Sequence, residues 1–344
     1  MNGTPLVLDG SQGEGGGQVL RSALTLSLCL GRPFRMVNIR AKRRNPGLAR
    51  QHLMAVRAAA TVGRATVSGD ELGSRTLSFA PRGVFGGDYR FDIGSAGSTT
   101  LVLHTLLPAL LHADRPSRVT VIGGTHNPLA PPFEHFAEAY LPLLERMGAP
   151  VRAHLARAGY YPRGGGVVTV EVRPTRLRPL QLLERGPLQT LRGEARVAAL
   201  PRHIAEREAQ VLRAGLDLPE DAVPVVEQPP DWGPGNACLV WAHSAEITEV
   251  FTGIGERGVP AETVAGRVVE ETRRYLDAGV PVGEHLADQL MIPLALAGGG
   301  AYRTLPPSGH TRTNRWVIEA FLPNLRFRFD EAPGGWCIYL EART

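Results

Sequence analysis

Lysine is nearly absent from this sequence: Lys42 is the only one, and every other cation in the combined lysine and arginine count of 38 is arginine. That scarcity excludes mechanisms. A Walker A loop needs glycines before its lysine and a hydroxyl after it, whereas Lys42 stands in Arg40-Ala41-Lys42-Arg43-Arg44, so the chain is not a P-loop NTPase. Nucleotidyl transfer through a K-x-D-G lysine and pyridoxal Schiff-base chemistry would both have to use this same residue, whose context fits neither. A covalently held nucleotide would need another side chain. Cysteine is scarce as well. Cys29, Cys238 and Cys337 are odd in number, far apart and never in a C-x-x-C pair, which leaves neither a disulfide framework nor a thiolate zinc site and points to a reducing cytoplasm. Long apolar runs are missing too. The richest one near the start, Leu24 to Leu30, is too short to span a bilayer, and no basic segment with an apolar one behind it precedes it. A soluble, unprocessed chain without a membrane partner is expected.

What is present suits a folded globule. Of 344 residues, 43% are hydrophobic and 21% charged, and the length makes two domains the default. The net charge of +5 is compatible with a polyanionic partner such as nucleic acid but is too small to decide the matter. Internal repetition says more. The stretch GSQGEGGGQVLRSALTLSLCLG is a glycine-rich turn opening an apolar helix that Gly31 would cap; the strand PFRMVNIRA follows, and Asn45-Pro46 starts a second helix with proline in its first turn. GSAGSTTLVLHTLLPALL, SRVTVIGG, Asn127-Pro128 and a helix near FEHFAEAYLPLLERMG repeat the plan. It returns a third time from Gly283 through HLADQLMIPLALAGGG and a short strand to Asn314 and the helix NRWVIEAFL. The three asparagines follow Gly13, Gly97 and Gly283 at nearly constant spacing. Between the second and third copies, residues 185–279 alternate strands and helices in another texture and read as a small inserted α/β domain, an insertion made cheap by the slow growth of loop-closure entropy.

Three features carry chemistry. In the run from Gly13 to Gln18, the third glycine of a dinucleotide fingerprint would fall on Gln18 and no acidic residue is placed for a ribose, which excludes a Rossmann site. The run is either a tight turn feeding a helix or a helix N-terminus whose free N–H groups hold a phosphate. A carboxylate at an anion site repels unless a divalent cation lies between them, so Glu14 reads as a metal ligand. Arg40, Arg43 and Arg44 end a strand, Arg21 sits one turn into the preceding helix, and Arg50, Gln51 and His52 follow. This is either a solvated basic face or a set of guanidinium forks suited to a terminal phosphate. His310 lies in the turn-forming loop from Pro306 to Asn314. A single histidine is most often structural, but this one occupies the strand-to-helix position of the arginine cluster, and neutral imidazole is a competent nucleophile toward phosphorus near pH 7. No G-x-S-x-G elbow or H-E-x-x-H pair competes with it.

The segments LDGSQGEGGGQVLRSAL, RAKRRNPGLARQHL, GGDYRFDIGSAGSTTLVL, YYPRGGG, LPRHIAERE, GEHLADQLMIPLALAGGG and GHTRTN resemble, in order and spacing, the RNA 3'-terminal phosphate cyclase family across essentially the whole chain. The resemblance implies an α+β fold: a large domain of three βαβαββ-type repeats like the C-terminal domain of translation initiation factor three, with a small α/β domain inserted before the third. The corresponding division is residues 1–184 for repeats one and two, 185–279 for the insert and 280–344 for repeat three. It also implies ATP and a divalent metal, Mg or Mn, as cofactors and RNA 3'-phosphate ends as partner, with DNA ends an open second class. By resemblance His310 is the nucleophile that becomes histidyl-AMP, Glu14 binds the metal, and Arg21, Arg40, Arg43, Gln51 and His52 hold phosphates and the RNA end. The run His285, Leu286, Ala287, Asp288, Gln289 matches the nucleotide-binding segment.

This chain departs from the family at three histidines. His104 stands where glutamine is common as an ATP contact, His285 where tyrosine often stands, and His126 where an acidic residue is common, which puts a second metal contact there in doubt. Two other assignments fit the sequence less well. A non-catalytic RNA-binding relative acting in ribosome assembly would lack the nucleophilic histidine, whereas His310, Glu14 and the arginine loop are all present. An enolpyruvyl transferase built from related repeats would need a lysine-rich anion site, which one lysine cannot make.

Overall fold

In the computed structural model, which describes residues 5–342, the first apolar helix stops where the sequence supplies glycine. The first unit runs β1 (Leu6–Asp9), α1 (Gln18–Leu30), β2 (Phe34–Val37), α2 (Arg50–Gly63), β3 (Thr66–Ser68) and β4 (Leu77–Ala80). Gly31 takes a left-handed conformation at φ 60° and its N–H turns back onto the last carbonyls of α1, a geometry that costs glycine nothing. The strands pair in the order β1-β2-β4-β3, the first two parallel and the rest antiparallel. The second unit repeats this with β5 (Asp88–Asp92), α3 (Thr99–Leu110), β6 (Ser117–Gly123), a π-helical turn (His135–Tyr140) leading into α4 (Leu141–Arg146), β7 (Arg152–Arg157) and β8 (Gly166–Val172), paired β5-β6-β8-β7.

The third unit begins earlier than the sequence suggested. Strand β9 (Leu180–Leu182) is followed by β10 (Leu188–Ala198), α5 (His203–Leu216), β11 (Val225–Gln228), β12 (Gly235–Ser244), β13 (Thr248–Ile254) and α6 (Ala261–Ala278), whose four strands form a sheet of their own in the order β11-β10-β12-β13. Then come α7 (Glu284–Ala297), β14 (Gly300–Thr304), α8 (Gly309–Phe321), β15 (Leu325–Ala332) and β16 (Gly335–Ala342). β9 pairs in parallel with β14, so the order β9-β14-β16-β15 reproduces that of the other two units. The extra sheet therefore interrupts the third unit after its first strand rather than preceding it, and residues 180–182 do not belong with the first two units. Three residues inside an arginine- and proline-rich stretch carry too little alternation to declare a strand; only the distant partner makes them one.

Two helix starts also differ from expectation. α2 begins at Arg50, not at Pro46, because Gly47 N donates to Ile39 O at 2.8 Å and Leu48 N to Ser74 O at 3.0 Å, which holds this stretch out of the helix. α8 begins at Gly309, since the Ser308 hydroxyl accepts from Thr311 N at 3.2 Å and caps the helix. His310 thus lies in a first helical turn rather than in a loop before the helix.

The three units bury their helices on one another. A single core runs from Leu20 and Leu24 of α1 through Leu103 and Leu106 of α3 to Leu290 of α7 and Val317 of α8, all at most 1% exposed. A second core lies between the extra sheet and α5 and α6, around Val240, Leu212 and Val268. Emptying one such leucine site to alanine costs about 2–5 kcal/mol. Among the described residues no helix is long and apolar enough to cross a membrane.

Candidate active site

The glycine run that opens α1 is shaped by what packs on it. Gly13 and Gly15 sit at φ 57° and 59°, in the region that favours glycine. A Cβ on Gly15 would come 2.8 Å from the Lys42 side chain, and one on Gly16 would come 2.7 Å from the Arg43 guanidinium. The one lysine closes the turn, its Nζ donating to Gly13 O at 2.8 Å. From the other side α8 holds the turn, Glu14 N donating to Thr313 Oγ1 at 3.2 Å.

This packing aims Glu14 at α8. Its Oε2 lies 2.9 Å from His310 Nδ1, with the two side chains 31% and 46% exposed. A Cβ on Gly309 would stand 2.5 Å from Glu14 Oε1, so glycine before His310 is what admits the carboxylate. Glu14 thus stands at ion-pair distance from Nδ1, and among the described residues neither imidazole nitrogen of His310 makes a hydrogen bond. Burial lowers the imidazole pKa, Glu14 opposes this, and Arg21, His285 and Arg43 add to the lowering; the neutral, nucleophilic form is favoured.

His310 opens onto a cavity of about 490 Å³ between α1, α3, α7 and α8 on one side and β13 and α6 on the other. Arg21 lines it, donating to Gln18 Oε1 at 2.9 Å; burial brings its pKa down to about 10, so it remains cationic at neutral pH. Asn314 ties the surrounding helices together, accepting from Ser22 Oγ at 2.6 Å and donating to Asp288 O at 2.7 Å. Asp288 is pushed up to about 7 by burial. His285 lies 3.3 Å from Glu271 Oε1, a hydrogen bond that pushes its pKa up to about 9. His104, pushed down to about 3 by burial, packs 4.4 Å from the Tyr140 ring centre.

Of the residues singled out in the sequence, His310, Arg21, His104, His285, Asp288 and Gln289 share this cavity wall. Leu286 and Ala287 do not: they are 0% and 2% exposed because the helical period turns them to the core while 285, 288 and 289 face the cavity. The remaining cationic group lies behind the glycine turn. His52 is buried, and a Cβ on Gly17 would strike it and meet Arg21 at 2.8 Å; burial together with Arg21, Arg40 and Arg43 pushes its pKa down to about 3. Gln51 Oε1 accepts from Ser98 N at 3.2 Å. Arg40 spends its guanidinium on its own loop, donating to Asn45 O at 3.0 Å and Gly47 O at 2.7 Å, while Arg43 stays exposed beside Gly16.

His126 is engaged by the protein on both sides of its ring. Its Nε2 is 2.9 Å from Glu134 and its Nδ1 2.8 Å from Thr125 Oγ1, so both ring nitrogens are used. Among the described residues no group of three or more histidine, cysteine, aspartate or glutamate side chains could hold a metal ion. Sequence reasoning also missed His135, Glu271 and Asn314 as cavity residues. The recurrent asparagine was the available signal for Asn314; the other two face the cavity only because the extra sheet folds back over it.

A family described as RNA 3'-terminal phosphate cyclase matches residues 12–328 of the chain. A relative from Ectopseudomonas mendocina (strain ymp), named RNA 3'-terminal phosphate cyclase, is 52% identical over 322 residues, which is 94% of this chain and 94% of that protein.

Proposed function

Because the chain belongs to the RNA 3'-terminal phosphate cyclase family, we propose that it converts an RNA 3'-phosphate end to a 2',3'-cyclic phosphate, with ATP as activating substrate and His310 as the carrier of AMP. The observation that carries this reading is the position of His310 on the cavity wall with Glu14 2.9 Å from its Nδ1, which directs Nε2 to the nucleotide. Nε2 attacks the α-phosphorus of ATP; the N–P bond forms as the bond to pyrophosphate breaks. The ring gains positive charge in that step, and the Glu14 carboxylate on Nδ1 stabilises it. An oxygen of the RNA 3'-phosphate then attacks the same phosphorus and the N–P bond breaks, returning neutral histidine. The neighbouring 2'-hydroxyl attacks the 3'-phosphorus and expels AMP, closing the ring.

The cavity supplies the rest. Arg21 faces the transferring phosphoryl group, and Arg43 and the groups behind the glycine turn receive the RNA end, where planar guanidinium forks can take two oxygens each. Residues 185–279, taken as an inserted domain, close the nucleotide between α7 and the wall made by β13 and α6. Glu14 also fits a divalent cation such as Mg or Mn: one carboxylate without a protein cage is what these ions accept when phosphate oxygens and water complete the shell. The cation would neutralise phosphate charge there.

Incubation with ATP labelled at the α-phosphate and a divalent cation should leave acid-labile, alkali-stable label on the wild type and none on His310→Ala. Label surviving that substitution would place the nucleophile elsewhere.

A further inference from the structure

The segment YYPRGGG, from Tyr160 to Gly166, lies outside the cavity wall, and its two tyrosines have opposite surroundings. Tyr160 is 1% exposed: its hydroxyl donates to Gln228 Oε1 at 2.6 Å and its ring stacks on His126 with the ring centres 5.2 Å apart. Tyr161 is 69% exposed, and among the described residues every other phenylalanine, tyrosine and tryptophan is buried or half-buried. A single apolar side chain in water needs no explanation, but this one stands on a loop that is held from two sides. Gly164 N closes the loop by donating to Tyr160 O at 2.7 Å, and Gly164 and Gly165 follow at φ 69° and 75°. A Cβ on Gly164 would come 2.8 Å from Ser95 O and 2.9 Å from Ala96 Cα, so the loop lies directly on that backbone. Arg163 fixes the far side, donating to Gly233 O at 3.0 Å and Asp231 O at 3.2 Å. The ring of Tyr161 is thus presented to solvent on a prearranged support.

The backbone under that loop also touches the groups assigned to the RNA end. Ser98 N donates to Gln51 Oε1, and a Cβ on Gly97 would come 2.9 Å from Gln51 Cβ; Asn127, which lines the cavity, donates to Ala96 O. Tyr161 and the start of α2 therefore flank one bend, residues 95–98. We propose that Tyr161 is a stacking platform for a base upstream of the 3'-phosphate in single-stranded RNA, with the terminal phosphate at the glycine turn and the strand crossing this bend. This rests on the reading of the site as one that receives an RNA 3'-phosphate. Unpaired bases at RNA ends stack on aromatic side chains, and every base offers a π-face, so the contact would tolerate any sequence. Charge favours the same occupant: Arg157 pairs with Asp231 at 3.0 Å, and Arg163 beside it leaves the local balance positive, which suits the phosphates between the bases.

The test measures cyclisation of a short single-stranded RNA bearing a 3'-phosphate, and of a set of the same RNA in which one upstream nucleotide at a time lacks its base. Tyr161→Ala should lower kcat/KM on the intact RNA about tenfold to a hundredfold, through KM, while labelling by ATP without RNA keeps the wild-type rate and so reports a folded protein. Tyr161→Phe and Tyr161→Trp keep a flat ring and should stay within about threefold of the wild type. On the wild type one of the abasic RNAs should reproduce the loss, and on that RNA Tyr161→Ala should cost nothing further, because ring and base belong to one contact. An unchanged KM for Tyr161→Ala on the intact RNA overturns the assignment. So does a loss that adds in full to the loss at every abasic position, which would give the ring to something other than a base, such as a protein partner. A wild type that takes label from ATP but cyclises none of these RNAs would instead overturn the reading of the RNA site on which the assignment rests.

Discussion

Two histidine–glutamate contacts of the same 2.9 Å length occur in this molecule, and they do different things. His310 and Glu14 join the third unit to the first with side chains 46% and 31% exposed. His126 and Glu134 lie in the second unit at 0% and 7%, where Arg196 of the extra sheet engages Glu134 and Glu194. In the buried pair every atom is spoken for: Thr125 takes the other imidazole nitrogen, and Asn236 ties the Arg196 carbonyl to Glu208. In the open pair, among the described residues, the imidazole makes no hydrogen bond and its residue lines the cavity. Contact length does not separate the two pairs; hydrogen bonding, exposure and access to a cavity do.

Four substitutions sharpen or break that contrast. The largest effect belongs to His310→Ala, which should lower cyclisation by about a millionfold, the scale seen when a covalent nucleophile is removed, while the melting temperature stays near the wild-type value. Residual cyclisation above a thousandth of the wild-type rate would break the contrast at its chemical end. Arg196→Ala should do the reverse, costing about 3–5 kcal/mol in chemical denaturation because it strands the buried Glu134. Unchanged denaturation would show that the enclosed network is not structural.

Glu14→Gln keeps the size of the side chain beside Nδ1 but removes the charge, so enzyme adenylylation should slow about tenfold to a hundredfold with stability within about 0.5 kcal/mol of the wild type. A rate equal to the wild type would remove Glu14 from the reaction. The smallest effect is pH-dependent and lies where the extra sheet meets α7. Glu249 is 2% exposed, accepts from Gly283 N at 2.5 Å and is pushed up to about 8 by burial. Its folded value lies above the unfolded one of about 4.3, so the native state holds the extra proton and this contribution to stability is lost as pH rises from there toward about 8. Thermal melts of Glu249→Gln between roughly pH 6 and pH 9 should therefore fall less steeply than those of the wild type, by a few degrees over that span. Identical slopes would contradict this.

Much of this was legible in the chain. The glycines at 31 and 298 end α1 and α7 in the left-handed conformation at φ 60° and 79°, and helical and strand periodicities gave the repeats because they are local properties. His310 stood out through its place in the repeat, and Glu14 as a carboxylate in a turn otherwise suited to an anion. What stayed hidden depends on chain segments far apart in sequence. β9 is a strand only beside β14, His126 is enclosed only because Glu134 and Arg196 meet over it, and His135 is tied to the extra sheet only when β13 brings the Val250 carbonyl to it. Ser308 as the cap of α8 was a local signal that was overlooked: with Thr311 three residues on, it sets the helix start at Gly309 and places His310 in a first turn.

The central claim is that His310, and no other histidine in the chain, carries the nucleotide. Peptide mass spectrometry of the protein after ATP treatment, kept at alkaline pH to preserve a phosphoramidate, tests it most directly. The account predicts one adenylyl group per chain, located on His310. An adduct on His104, His285 or His126, or on a residue other than histidine, would contradict it.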